Sequence, residues 1–171
     1  MKKRDGKTKD RILDAAEDIF SHKGFDGTKA QEIATSAGVN KAMLYYYFKN
    51  KDELLIAVVG RIVGGIRDAI PKFFDSDENA AQNIENFLDF YIGYLADNQS
   101  FVKLMAWEML SARHVQALAR DYIIPVFSLM RERITEAISK GWIRDETLEF
   151  SPKSMVGMNV FYIVEASTWQ R

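Results

Sequence analysis

From Lys7 to Lys23 the apolar residues Ile12, Ala15, Ala16, Ile19 and Phe20 recur at intervals of three and four, the spacing that puts side chains on one face of an α-helix. Gly24 follows as a stop signal. Thr28 with Gln31 three residues on has the form of a capping box, so a short second helix is predicted over KAQEIATSA, closed by Gly38. Asn40, a preferred N-cap, opens a third helix over KAMLYYYF. Asn50 opens a fourth, with Asp52 and Glu53 in the first turn, where the helix dipole favours acids.

The third of these segments is ambiguous by itself, because a short apolar run with three consecutive tyrosines fits a strand or a helix. Its neighbours decide for a helix, in which Leu44 and Phe48 share a face while Tyr45, Tyr46 and Tyr47 fan around the remainder. Two short helices with a glycine in the turn between them have the spacing of a helix-turn-helix, whose second helix enters the DNA major groove. Ile33, Ala34, Ala37, Val39, Leu44 and Phe48 supply the apolar positions that would lock this pair onto the first helix.

Further on, the pattern predicts a long helix from Lys51 to Phe74, loosened at Gly64, Gly65 and Pro71, then an acidic loop DSDEN. Helices are expected from Ala80 to Ala96, from Phe101 to Ser111, and from Val115 to Lys140 with a kink or split at Pro125. Gly141 ends that run. Ser151 and Pro152 open a last helix through MVGMNVFYIVEA that is apolar nearly all round and so must be buried on more than one side. The fold class read from this pattern is all-α. Its N-terminal three-helix helix-turn-helix domain (1–50) is joined through the long fourth helix to a second helical domain (51–171).

Composition narrows the function classes. The 171 residues and 47% hydrophobic content suit a packed globular chain, and without cysteine there is no disulfide or thiolate chemistry. The two histidines, His22 and His114, lack ligand-like spacing, which argues against a histidine metal site or a Ser-His-Asp triad. The reading is therefore no enzyme, no metal and no cofactor. The apolar runs fall short of the roughly 18 residues of a membrane span, and the charged start MKKRDGKTKD is unlike a signal peptide. A cytoplasmic protein with no membrane partner is expected. The net charge is −1 overall, but eleven bases against nine acids through Ala57 leave a local +2.

Thr28, Ile33, Ala34, Ala37, Gly38, Val39, Asn40, Leu44, Tyr45, Tyr47, Phe48, Lys51 and Leu54 stand where the TetR family of bacterial transcriptional regulators has its helix-turn-helix pattern, and the chain resembles that family over this stretch. The resemblance implies a homodimer that binds a palindromic double-stranded operator through its N-terminal domain and a small-molecule effector through its C-terminal domain. It most simply describes a repressor released by an apolar or aromatic effector. In the family a further helix follows the region of the last one here, and the sequence stops at Arg171, so a C-terminal helix beyond it is expected.

Candidate DNA-binding residues follow from chemistry at the reading helix. Lys41, Ala42 and Met43 occupy its first turn, where Lys41 can donate to guanine and Ala42 can meet a thymine methyl. Tyr45, Tyr46 and Tyr47 offer phenols to phosphate and rings to sugar; by resemblance, Tyr45 and Tyr47 match positions that contact or support the backbone. Lys51 adds an ammonium at a helix N-terminus, and Thr28, Lys29 and Asn40 complete the set; Lys2 to Arg11 is a candidate basic arm. For the effector, aromatic and methionine side chains suggest Phe90, Tyr94, Phe101, Met105, Trp107, Tyr122, Phe127 and Met130, with Glu108 beside Trp107 as a counter-charge for a cation. Dimer contacts are assigned to Met155, Met158, Phe161, Tyr162, Glu165 and Trp169. Two rivals remain at this level: an all-helical protein-interaction module with a filled core, and an all-α enzyme using Glu108, Arg113 and His114.

Overall fold

The structure is a computed structural model that describes residues 2–74 and 80–142. The last-helix and dimer-contact expectations (Met155, Met158, Phe161, Tyr162, Glu165, Trp169) lie outside the described residues.

Among the described residues every regular element is helical: α1 Lys2–Gly27, α2 Ala30–Ser36, α3 Lys41–Tyr47, α4 Lys51–Phe74, α5 Ala80–Asp97, α6 Gln99–Ser111, α7 Val115–Leu118 and α8 Ile124–Ser139. A single π-helical turn, Ala119–Ile123, joins α7 to α8. The predicted Val115–Lys140 helix is thus split just before Pro125, which has no N–H to donate and whose ring would clash within a continuous α-helix. Gly141, at φ 74°, ends α8 as expected.

Two compact units form. The first takes Met1–Ile62 and Asn98–Leu118, so α6 and α7 belong with the helix-turn-helix and not with the elements flanking them in sequence. The second takes Val63–Asp97 and, among the described residues, the chain from Ala119.

In the first unit, the predicted apolar face of α1 is realised: Ile12, Ala16 and Phe20 are fully buried, together with Ile33 and Ala34 of α2, Leu44 of α3, and Leu54, Leu55, Val58 and Val59 of α4. Leu104 of α6 and Leu118 of α7 complete this core. Arg61 of α4 reaches Asp14 and Glu17 of α1 at 2.6 and 2.8 Å, a clamp across two helices. Gly24 interrupts α1 with φ 67° and ψ 175°, a conformation reserved for glycine, and Trp107 of α6 lies in the space that opens. The Trp107 indole N–H donates to the Ser21 carbonyl at 3.2 Å.

In the second unit, the end of α4 meets α5 through aromatic rings. Phe73 lies 5.8 Å from Phe87 and 5.4 Å from Phe90, and Phe90 lies 5.5 Å from Tyr94. The Tyr94 phenol sits against the backbone of Gly65, where a Cβ would come within 2.9 Å of Cζ, while Gly64 has nothing near it. Gly64→Ala should therefore raise the melting temperature through helix propensity, and Gly65→Ala should lower it by displacing the ring. The separation between the two should be about 1–3 kcal/mol in denaturant unfolding. Equal behaviour of the pair would mean that Tyr94 does not occupy that gap.

Candidate nucleic-acid interface

The turn between α2 and α3 is built by local chemistry. Gly38 adopts φ 64°, and the Val39 N–H reaches back to the Ala34 carbonyl at 2.9 Å, closing α2 and reversing the chain. Asn40 then caps α3, its Oδ1 accepting from the Met43 N–H at 2.7 Å. Asn50 caps α4 in the same way, accepting from the Glu53 N–H at 2.7 Å.

The cap of α2 differs from expectation. Lys29, not Thr28, is the N-cap residue, and Glu32 accepts from its backbone N–H at 3.0 Å. Lys23 donates to the same carboxylate at 2.8 Å, and these bonds hold the Glu32 carboxyl below its ordinary value. Thr28 is buried, and its hydroxyl donates to the Gly24 carbonyl at 2.7 Å. Its role in this structure is to close the end of α1. The hydroxyl serves the end of α1 and not the start of α2, where the capping-box pattern places it.

Of the short α3, only Leu44 is buried, with Phe48 just beyond it. Lys41, Ala42, Met43, Tyr45 and Tyr46 are exposed, Tyr46 at 75% of its surface. Tyr47 is half-buried and meets Tyr46 edge to face at 5.2 Å; Lys41 lies 5.8 Å from the Tyr45 ring. Lys29 and Lys49, on the segments flanking the two short helices, are exposed as well. Together these exposed residues are cations, phenols and one methionine, the types that bind phosphate, sugar and base edges.

Lys51 is used differently from the other lysines. Its ammonium donates to the carbonyls of Phe25 and Thr28 at 2.6 and 2.9 Å and lies 4.1 Å from the Phe25 ring. It pins the start of α4 to the end of α1, so its expected phosphate contact has at most the third ammonium proton to use.

In the same unit, His114 joins two carboxylates. Its Nδ1 is 2.8 Å from Glu108 Oε2 and its Nε2 is 3.0 Å from Asp52 Oδ1, while Arg113 turns away to pair with Asp26 at 2.6 Å. Of the rival catalytic set, Glu108 and His114 are therefore together and Arg113 is apart. Glu108 is fully buried and Trp107 is 45% exposed, so the expected cation-binding pair is divided between interior and surface. Among the effector candidates, Phe101 and Met105 share the first unit with that pair, whereas Phe90, Tyr94, Tyr122, Phe127 and Met130 are in the second. Glu108 and His114 are 6 residues apart, but Asp52 is 62 from His114, and no local pattern signals its part in the contact.

The family model described as "Bacterial regulatory proteins, tetR family" matches residues 12–58, which is α1 to the first turns of α4. The HTH-type transcriptional regulator RutR of Escherichia coli is 32% identical over 151 residues, covering 88% of this chain and 69% of the relative. The chain belongs to the TetR family of transcriptional regulators. The HTH-type transcriptional repressor NicS of Pseudomonas putida is 29% identical over 147 residues, 82% of this chain and 68% of the relative. The fold matches the fatty acid degradation regulator FadR from Bacillus halodurans with a TM-score of 0.76 at 20% identity, over 95% of this chain and 87% of that one. As a TetR-family protein the chain is a DNA-binding transcriptional regulator and not an enzyme. Among the described residues, no helix is long and apolar enough to cross a membrane.

Proposed function

We propose that this TetR-family chain is a repressor that binds a palindromic operator as a homodimer and is released by a small apolar or aromatic effector. The observation that carries the reading is the composition of α3: Leu44 alone is buried, and Lys41, Met43, Tyr45 and Tyr46 are left exposed on one short capped helix. Lys41, Ala42 and Met43 read base edges, Tyr45, Tyr46 and Tyr47 position the helix on the backbone, and Lys29, Asn40 and Lys49 add phosphate contacts. Thr28 and Lys51 act from behind, by holding the α1–α2 turn to α4. Repression is favoured by the relative NicS, which is named a repressor.

In this reading residues 1–50 read DNA, and the remainder binds effector and partner subunit in the cytoplasm. The effector side chains are Phe90, Tyr94, Tyr122, Phe127 and Met130. With two reading helices about one DNA turn apart, roughly 34–36 Å, effector binding acts by changing the disposition of α4 and hence that spacing. Linkage then requires operator DNA to weaken the effector by the same factor.

The test is selection of duplexes from a random library, followed by footprinting and salt titration. Two protected half-sites of opposite orientation are expected. Lys41→Ala should weaken binding by about 10- to 100-fold and relax preference at one base pair, whereas Lys49→Ala should weaken all sequences alike and flatten the salt slope. No preference above non-specific binding would end the reading.

A further inference from the structure

We propose that His114, as an imidazolium bridging Glu108 and Asp52, is a positioning residue that sets the first turn of α4 for DNA binding. The inference rests on the DNA-reading role given above to the helix-turn-helix and the α4 turn beside it.

The donor count carries the argument. An ionised carboxylate only accepts hydrogen bonds, and a neutral imidazole has one donor and one acceptor nitrogen. Both ring nitrogens of His114 face carboxylate oxygens, at 2.8 and 3.0 Å. A neutral ring between two ionised carboxylates would turn a lone pair against one of them, so the three groups must retain an additional proton. Asp52 is half exposed, so water solvates its ionised form, and its carboxyl is held below the ordinary aspartate value, chiefly by the hydrogen bond from His114. Glu108 is fully buried, its Oε1 has no partner, and a cation against Oε2 offsets the cost of burying its charge.

Every element around the ring contributes a group. Glu108 faces it from α6, Asp52 from α4 and the Phe25 ring from α1, at 4.5 Å and 66°. Two further cations approach through Phe25: Lys51, 4.1 Å from its ring, and Arg113, 4.9 Å from it and paired with Asp26. The two acids at hydrogen-bond distance therefore outweigh the two bases held one ring away. The mechanical consequence lies next to Asp52. Lys51 carries the bonds to the Phe25 and Thr28 carbonyls, so the residue that His114 grips is adjacent to the one that aligns α4 with the α1–α2 turn. Deprotonation removes one of the two His114 bonds, and the corner where α6 meets α7 loses its hold on α4 or its inner anchor.

The contact is complete while both ring nitrogens carry a proton, and loss of one of them leaves a lone pair facing a carboxylate. At the acid end the sign is opposite: with its folded-state value lowered, Asp52 contributes above the ordinary aspartate value and loses that contribution as pH falls through the lowered one. The chain has two histidines, so a His22→Gln protein leaves His114 as the one imidazole to observe. Ring nitrogen-15 spectra at pH about 6 should show both nitrogens protonated. The backbone amides of Lys51, Asp52 and Glu53 should shift with the same midpoint as the ring. A ring with one protonated nitrogen throughout, or amides static while the ring titrates, overturns the proposal whether or not DNA is bound.

With the tightest duplex from the selection above, wild-type and His22→Gln affinity should fall several-fold as pH rises, with the midpoint that the ring shows in the spectra. His114→Gln should bind weakly with no such dependence. Asp52→Asn, at a partly exposed position, keeps the fold and should move the midpoint to lower pH. A His114→Gln protein with wild-type affinity and pH profile, or an unmoved midpoint in Asp52→Asn, overturns the positioning role. Failure of wild-type to prefer any duplex would instead remove the operator reading, leaving the spectra to decide the imidazolium and its grip on α4.

Discussion

Leu44→Ala is expected to lower stability by about 2–5 kcal/mol and to abolish selective duplex binding at concentrations where the wild-type protein is saturated. Leu44 is fully buried and is the one buried residue of the seven-residue α3. A helix of that length is far below the size that holds itself together in water, so its orientation depends on the anchors that tie it to the core. Phe48, just past its end, is the second anchor and cannot by itself define the roll of the helix. Denaturant unfolding gives the first quantity and duplex titration the second. Tyr46→Ala is the control: at 75% exposure it should change stability by no more than about 0.5 kcal/mol while weakening DNA binding. Equal stability losses in the two variants would mean that α3 is not held through Leu44.

Gly24→Ala should have the next largest effect. Its φ of 67° with ψ of 175° lies in a region that residues with a Cβ occupy at a cost on the order of 1–3 kcal/mol. The new methyl would also lie 3.3 Å from two ring carbons of Trp107, tighter than ordinary contact. The ring is tethered by its indole bond to Ser21, and Thr28 donates to the Gly24 carbonyl, so relaxation on either side breaks a hydrogen bond. A fall in the unfolding midpoint is expected, with a change in Trp107 fluorescence that reports the displaced indole. A Trp107→Phe, Gly24→Ala double variant should recover part of the loss, because the smaller ring leaves room for the methyl but not relief of the backbone. Unchanged stability in the single variant would refute the assignment.

The legibility of this chain follows the range of its interactions. Asn40 and Asn50 cap α3 and α4 through bonds spanning three residues, Gly38 and Gly141 end helices by their own conformation, and Pro125 disrupts the run that contains it. Each is written in adjacent residues, and each was readable. The α2 cap lies one position later than the residue types suggest, because the Thr28 hydroxyl can serve either neighbouring helix. The decision is made by the Gly24 carbonyl, which the kink at Gly24 presents to the Thr28 hydroxyl. Lys51 illustrates a harder case. Its place beside a helix N-terminus suits a phosphate, and the same place suits two protein carbonyls that the fold brings to it. Glu108, His114 and Asp52 were not legible as a group, since their meeting requires α6 to pack with the helix-turn-helix.

That packing has a consequence for building hybrids. A hybrid made by exchanging the reading head alone would be cut in the first half of α4. Such a graft would bring α1 to α3 without the α6–α7 segment that supplies buried Leu104, Glu108, His114 and Leu118 to the same unit. A chimera that carries Asn98–Leu118 along with the head transplants the whole interior; one that omits it joins two half-cores from different ancestors.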